Sequence, residues 1–195
     1  MPSLVDPEGY FWADASLASR HAAPAEVEIE VRAQLDRAFQ AGIRATHIDS
    51  HMFVLFKTHA LFAVLVRAAH DYGIPFPVPP SMTCNTHTSV LLRDQVVGLT
   101  ALLQANPNMH PQNWKRDYLY GLATLRPGLS ELIVHLGYSN SELLEITEGR
   151  SAWGAEWRQR DFDVLMDPGF REVLAKNEIS LVGWKNLKKC RTSTW

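Results

Sequence analysis

Cysteine is almost missing from this chain: Cys84 and Cys190 are the only two. Two thiols so far apart do not make a disulfide framework, and neither lies in a C-x-x-C metal spacing, so both read as reduced thiols. Long apolar runs are missing as well. No stretch approaches the ~20 residues that span a bilayer, and no apolar segment follows a basic one at the N-terminus, which makes a cytoplasmic location the default expectation. Neither sign of charge is in excess. A formal net charge of -2 gives no electrostatic reason to expect nucleic acid or an anionic membrane as a partner. The short basic cluster of Lys185, Lys188, Lys189 and Arg191 reads as a solvated terminus. The G-x-S-x-G elbow, the phosphate-binding Walker loop and the dinucleotide fingerprint do not occur, so serine-hydrolase and nucleotide-dependent readings lose their main support. There is no internal repeat and no low-complexity segment.

What is present is an ordinary globular composition, 46% hydrophobic and 21% charged over 195 residues, enough for one domain with a sizeable core. Met1 to Trp12, with Pro2, Pro7 and Gly9, has no regular period and reads as a loop. Pro24 and the acidic residues Glu26, Glu28 and Glu30 open a helix. Its apolar face is Val27, Val31, Leu35, Ala38 and Phe39, Glu28 and Arg32 pair at i,i+4, and Gly42 ends it. A β-branched segment from Ile43 to His51 follows, then a helix from about Thr58 to Tyr72 with Leu61, Phe62, Leu65 and Tyr72 inward. The proline-rich stretch from Ile74 to Pro80 allows at most a very short strand. Helical pattern resumes between Ser89 and Gln104 and again from Asn113 to Leu125. Glu131 to His135 reads as a buried parallel strand. Helices near Glu156 to Met166 and Pro168 to Asn177 precede a last strand, Ile179 to Trp184. This alternation predicts an α/β fold with mainly parallel strands.

The densest polar signal is Thr46-His47-Ile48-Asp49-Ser50-His51. In a helix His47 and His51 would lie one turn apart and could share a metal. The β-branched Ile43, Thr46 and Ile48 favour a strand instead, in which 47, 49 and 51 point to one face with the histidines roughly 13 Å apart. They cannot then hold one ion together. His51, at the carboxyl end where α/β folds place their sites, is the expected ligand, with Asp49 or His47 supporting it. Three such residues are also compatible with a merely hydrogen-bonded strand end, although burying them unpaired would cost several kcal/mol each. His135 is the second candidate, since it ends an apolar strand beside Gly137-Tyr138, with Glu131 on the same face. A core histidine bonded to a carbonyl is the competing reading. Were the histidines to converge, an imidazole would be available for proton transfer near neutral pH. His87 lies in a loop where solvent is the plainer partner, and His21, His59, His70 and His110 receive no role. Trp153, Trp157, Arg158, Arg160 and Asp161 could build a sugar-stacking wall or a dimer contact, although core packing is the commoner use of tryptophan.

These residues carry a resemblance. Gly42-Ile43-Arg44-Ala45-Thr46-His47-Ile48-Asp49-Ser50-His51 resembles the G-x-x-P-T-H-x-D-S-H hallmark of the YdjC-like (ChbG/HpnK) carbohydrate deacetylases. Glu131 to Tyr138 resembles their E-x-x-x-H-P-G segment, Pro2 to Phe11 the loop before their long helix, and Ile179 to Trp184 their last strand. The resemblance implies a distorted (βα) barrel, incomplete here, and metal-activated water that removes acetyl groups from N-acetylated sugars. It implies a divalent metal, Mg²⁺ or Zn²⁺, with His51 as ligand, His135 as proton donor or substrate contact, and His47 and Asp49 in support. The sequence departs from the family at several points. The opening A-D-D-x-G and G-x-H strands are not in this chain, Phe53 and Leu55 stand where D-S-H-x-H-x-H has histidines, and Leu136 replaces the proline.

The readings that follow are a metal-dependent carbohydrate deacetylase, an esterase or lactonase using the same site, an inactive carbohydrate-binding or assembly remnant, and a metal-free His/Asp acid/base enzyme. The expected partner is a small carbohydrate or acyl substrate. A parallel barrel without its first strands would expose a sheet edge, so a homodimer or larger oligomer is expected. Light scattering at high protein concentration checks this, and a well-behaved monomer contradicts it.

Overall fold

The computed structural model describes residues 1–83 and 95–190. In chain order the helices are α1 (Ala15–His21), α2 (Pro24–Gln40), α3 (His59–Tyr72), α4 (Pro80–Thr83), α5 (Trp114–Ala123), α6 (Ser141–Ile146), α7 (Ala155–Met166), α8 (Pro168–Lys176) and α9 (Trp184–Cys190). The strands are β1 (Phe76–Val78), β2 (Val96–Gly98), β3 (Ala101–Gln104) and β4 (Ser130–Ile133). The chain divides into two compact units, the first from residues 1–78, 84–97 and 183–195, the second from 79–83 and 98–182.

In the first unit α2 starts at Pro24, whose missing N–H costs nothing at a helix start. Ser3 ties the N-terminal turn to it: the Ser3 N–H and Oγ donate to Glu26 Oε2 at 2.9 and 2.7 Å. Thr58 caps α3 by accepting the Leu61 N–H, and Gly73 ends it in the left-handed conformation at φ 63°. Leu61, Val64, Leu65, Ala68 and Ala69 form the buried face of α3, the stripe expected of an amphipathic helix. Glu28 bridges Arg32 and Arg67 at 2.8 and 2.6 Å, and Arg32 reaches Asp71, fastening α2 to α3. Val27 is buried on α2 as expected, but Phe39 remains 42% exposed and lies flat beside Tyr72. β1 is wholly buried and pairs with β2.

The second unit has a parallel pair, β3 beside β4, in register from Ala101 opposite Ser130 to Gln104 opposite Ile133. Its core is built by α5, α7 and α8, from Trp114, Tyr118, Leu122, Trp157, Val164, Phe170 and Leu174. Asp167 caps α8, accepting the Gly169 N–H at 2.8 Å, and Lys115 pairs with it at 2.6 Å.

Three sequence expectations are corrected. Residues 95–104, read as helix, contain β2 and β3; the part of that reading from 89 to 94 lies outside the described residues. Ile43 to Ser50 joins no sheet, its Ile48 N–H donating to the Pro75 carbonyl at 2.8 Å, and His51 opens a short 3-10 helix that runs to Phe56. Ile179 to Gly183 forms no strand and runs into α9, with Leu181 and Val182 78% and 53% exposed. Helices α1 and α6 were not foreseen. The α/β character with a parallel pair holds, while the strands make two separate two-stranded sheets and no closed sheet among the described residues. No helix among them is long and apolar enough to cross a membrane. Leu65→Ala should cost about 2–5 kcal/mol, since the site is fully enclosed, and appear as a lowered urea midpoint.

Candidate functional site

The segment from Thr46 to Phe56 belongs to the first unit. Ile48 and Ser50 are buried, whereas Asp49 and His51 are exposed and His47 is half-buried. This alternation turns 47, 49 and 51 to one side, as an extended backbone requires. After His51 the chain bends sharply. Met52 and Phe53 both take left-handed backbone, at φ 54° and 55°, a conformation costing about 1–3 kcal/mol for each such residue. Ser50 holds the bend from both of its ends: its carbonyl accepts the Phe53 N–H at 2.8 Å and its Oγ the Leu55 N–H at 3.0 Å.

His47 stacks on Trp184 with ring centroids 4.3 Å apart and planes 4° apart, and its Nδ1 lies 3.1 Å from Thr46 Oγ1. Burial holds its pKa below the usual histidine range, and the nearby Asp49 charge offsets this in part.

His135 belongs to the second unit, two residues beyond the end of β4 and half-buried. Its N–H donates to Asp161 Oδ2 at 2.9 Å. Asp161 is fully buried, and its Oδ1 accepts from Trp114 Nε1 at 2.9 Å and Tyr118 OH at 2.7 Å. The Tyr118 hydroxyl is pushed well above the usual phenol range, by burial first and by Asp161 second. The His135 ring lies 4.7 Å from that of Trp153, which lies 4.2 Å from Trp157. Trp153 also has left-handed backbone, at φ 63°, and its carbonyl accepts from Arg158 Nε at 2.9 Å. Gly137 packs closely here: an added Cβ would lie 2.9 Å from Leu143 Cδ2 and 3.3 Å from Arg158 Cβ, so both side chains would have to shift.

Asp161, which the sequence allowed in a sugar-stacking wall or a dimer contact, is instead buried and is the central acceptor of the second unit. The signal was a carboxylate four residues after Trp157 and three before Val164, on the buried stripe of α7. Among the described residues no group of three or more His, Cys, Asp or Glu side chains could hold a metal ion. A firmly held zinc ion needs three or four protein ligands, so His51 and its described neighbours do not by themselves fit a zinc centre. Cys84 and His87 lie outside the described residues.

A family model described as YdjC-like protein matches residues 1–176. The carbohydrate deacetylase of Thermoanaerobacter pseudethanolicus is 25% identical over 189 residues, 95% of this chain and 70% of the relative. That of Brevibacillus brevis is 42% identical over 81 residues, 40% of this chain and 31% of the relative. That of Thermus thermophilus is 28% identical over 192 residues, 96% and 69% of the two chains. An Enterococcus faecalis protein whose crystal structure is provisionally described as a cellobiose-phosphate cleavage protein has the same fold. It superposes with a TM-score of 0.71 at 23% identity, over 95% of this chain and 69% of its own.

A depressed His47 pKa means that the unfolded chain binds a proton more readily than the folded one. Stability should fall as pH drops from the ordinary value near ~6.5 towards the depressed one, then level off. His47→Phe, which can keep the Trp184 stack, should flatten this slope in urea melts compared between pH 5 and 7.

Proposed function

The chain belongs to the YdjC-like protein family, and from that premise we propose that it is a hydrolase that removes acetyl groups from N-acetylated carbohydrates. The observation that supports this most is the setting of His135. Its ring leaves the carboxyl end of a parallel strand, where α/β folds gather their chemistry, from a main chain held by a buried carboxylate. In the proposed reaction water adds to the acetamide carbonyl, the C–N bond breaks, and acetate and a free amino sugar are formed. The His135 imidazole gives its proton to the departing nitrogen.

In the first unit Asp49 and His51 are open to solvent, and His47, held neutral by burial, supports the segment that carries them. A metal-ligand role for His51 requires ligands beyond the described residues, so no step here passes through a metal. The distorted barrel and the cytoplasmic location are parts of the same proposal. So is the homo-oligomer, which the exposure of Ile29 and Ile43, both 58%, supports.

That no three-ligand group occurs among the described residues favours a second reading, a carbohydrate-binding protein without turnover. Acetate release from N-acetylated sugars, beside model acyl esters, separates these readings. His135→Ala should lower turnover by about 10²–10⁴-fold, the range of a lost acid/base group, and His51→Ala should lower it as well if His51 serves the reaction. Equal rates in His135→Ala and the parent would refute the proton-transfer role, and sugar binding with no acetate release would establish the second reading. A preference for acyl esters would point to an esterase or lactonase. Activity that survives chelation would assign the chemistry to histidine and aspartate alone.

A further inference from the structure

Asp161 offers two acceptor atoms to three donors from two parts of the second unit: Trp114 and Tyr118 on α5, and the main chain of His135. The indole N–H and the backbone N–H can only donate, whereas the Tyr118 hydroxyl can turn and accept. A side chain with a single acceptor atom must therefore leave the Trp114 or the His135 N–H unpaired. Asparagine is such a side chain.

The helix that carries Asp161, α7, also holds the loop that follows His135. Gln159 accepts the Ser139 N–H at 2.9 Å, Glu156 accepts the Ser139 hydroxyl at 2.8 Å, and Phe162 lies 4.7 Å from Tyr138. Of these contacts only the Asp161 bond acts on residue 135 itself, and it is the only one made by a fully buried side chain.

We propose that Asp161 is the positioning residue of His135: its Oδ2 fixes the main chain from which the imidazole projects towards Trp153, and so sets where that ring meets the substrate. This rests on the deacetylase reading for its catalytic consequence, but not for its structural content. Asp161 touches no substrate. It acts through the His135 amide, so its loss should change turnover more than substrate binding.

The test compares the full chain with Asp161→Asn, Trp114→Phe and the double variant, using N-acetylated sugars as substrate. One measurement is NMR of the His135 amide and ring signals, the other kcat and KM for acetate release. Asp161→Asn should move the His135 signals and lower kcat about 10–100-fold, the scale of a misplaced catalytic group, with KM within about twofold. In the double variant the indole donor is gone and the asparagine oxygen can turn to the His135 N–H. The His135 signals should then return towards those of Trp114→Phe alone, with most of the lost kcat. Unchanged His135 signals in a folded Asp161→Asn, or a double variant no nearer its Trp114→Phe parent, overturns the proposal. If Asp161→Asn does not fold, the double variant against Trp114→Phe decides by the same criterion, since near-identical His135 signals are expected there. If the parent chain releases no acetate the deacetylase reading fails, while the NMR comparison still decides the role of Asp161.

Discussion

A carboxylate buried in the core of the second unit is the constraint on which that unit depends. Burying a charge costs several kcal/mol unless it is paired or hydrogen-bonded, and the bonds that Asp161 accepts from Trp114, Tyr118 and His135 all come from neutral donors. The surroundings are arranged to supply them. Trp114 and Tyr118 stand one turn apart on α5 and reach one oxygen, while the chain leaving β4 brings an amide to the other. The pairs that join α2 to α3 in the first unit are of a different kind. They lie at the surface, where solvent and salt screen them, and they direct the packing of the two helices more than they stabilise it.

Where local chemistry dictates an element, the sequence is explicit. Pro24 and the Thr58 and Gly73 caps mark the ends of α2 and α3, and the run Glu131 to His135 announces β4. The failures share a cause. Val96, Val97, Leu102 and Leu103 form apolar runs too short to tell a strand from a buried helix, and only the partner strands decide. Ile179 to Val182 has strand-like residues but no ladder to join, and so remains irregular. Likewise the β-branched alternation around His47 is real, yet a single bond to Pro75 replaces a sheet. For the site, the shared face of 47, 49 and 51 was legible from spacing. The anchoring of His135 was not, because it depends on a contact between residues 26 positions apart.

Backbone strain falls beside both candidate histidines. Of the four non-glycine residues with positive φ among those described, Met52 and Phe53 directly follow His51, and Trp153 lies against the His135 ring. Strain of this kind persists only where surrounding bonds over-determine it. Ser50 does so at the first place and Arg158 at the second. The sites thus share a design in which a conformation unfavourable in isolation is held by neighbours, although the chemistry around each histidine differs.

The stack of His47 on Trp184 joins residues far apart in the chain. During synthesis the ribosome delivers Trp184 after His47 and after the continuous stretch 98 to 182, which makes up the greater part of the second unit. The later-made unit can thus complete its own contacts while the earlier-made one still awaits its closing partner. The stack is therefore a late contact of the first unit, one that can form only after the ribosome has passed residue 184.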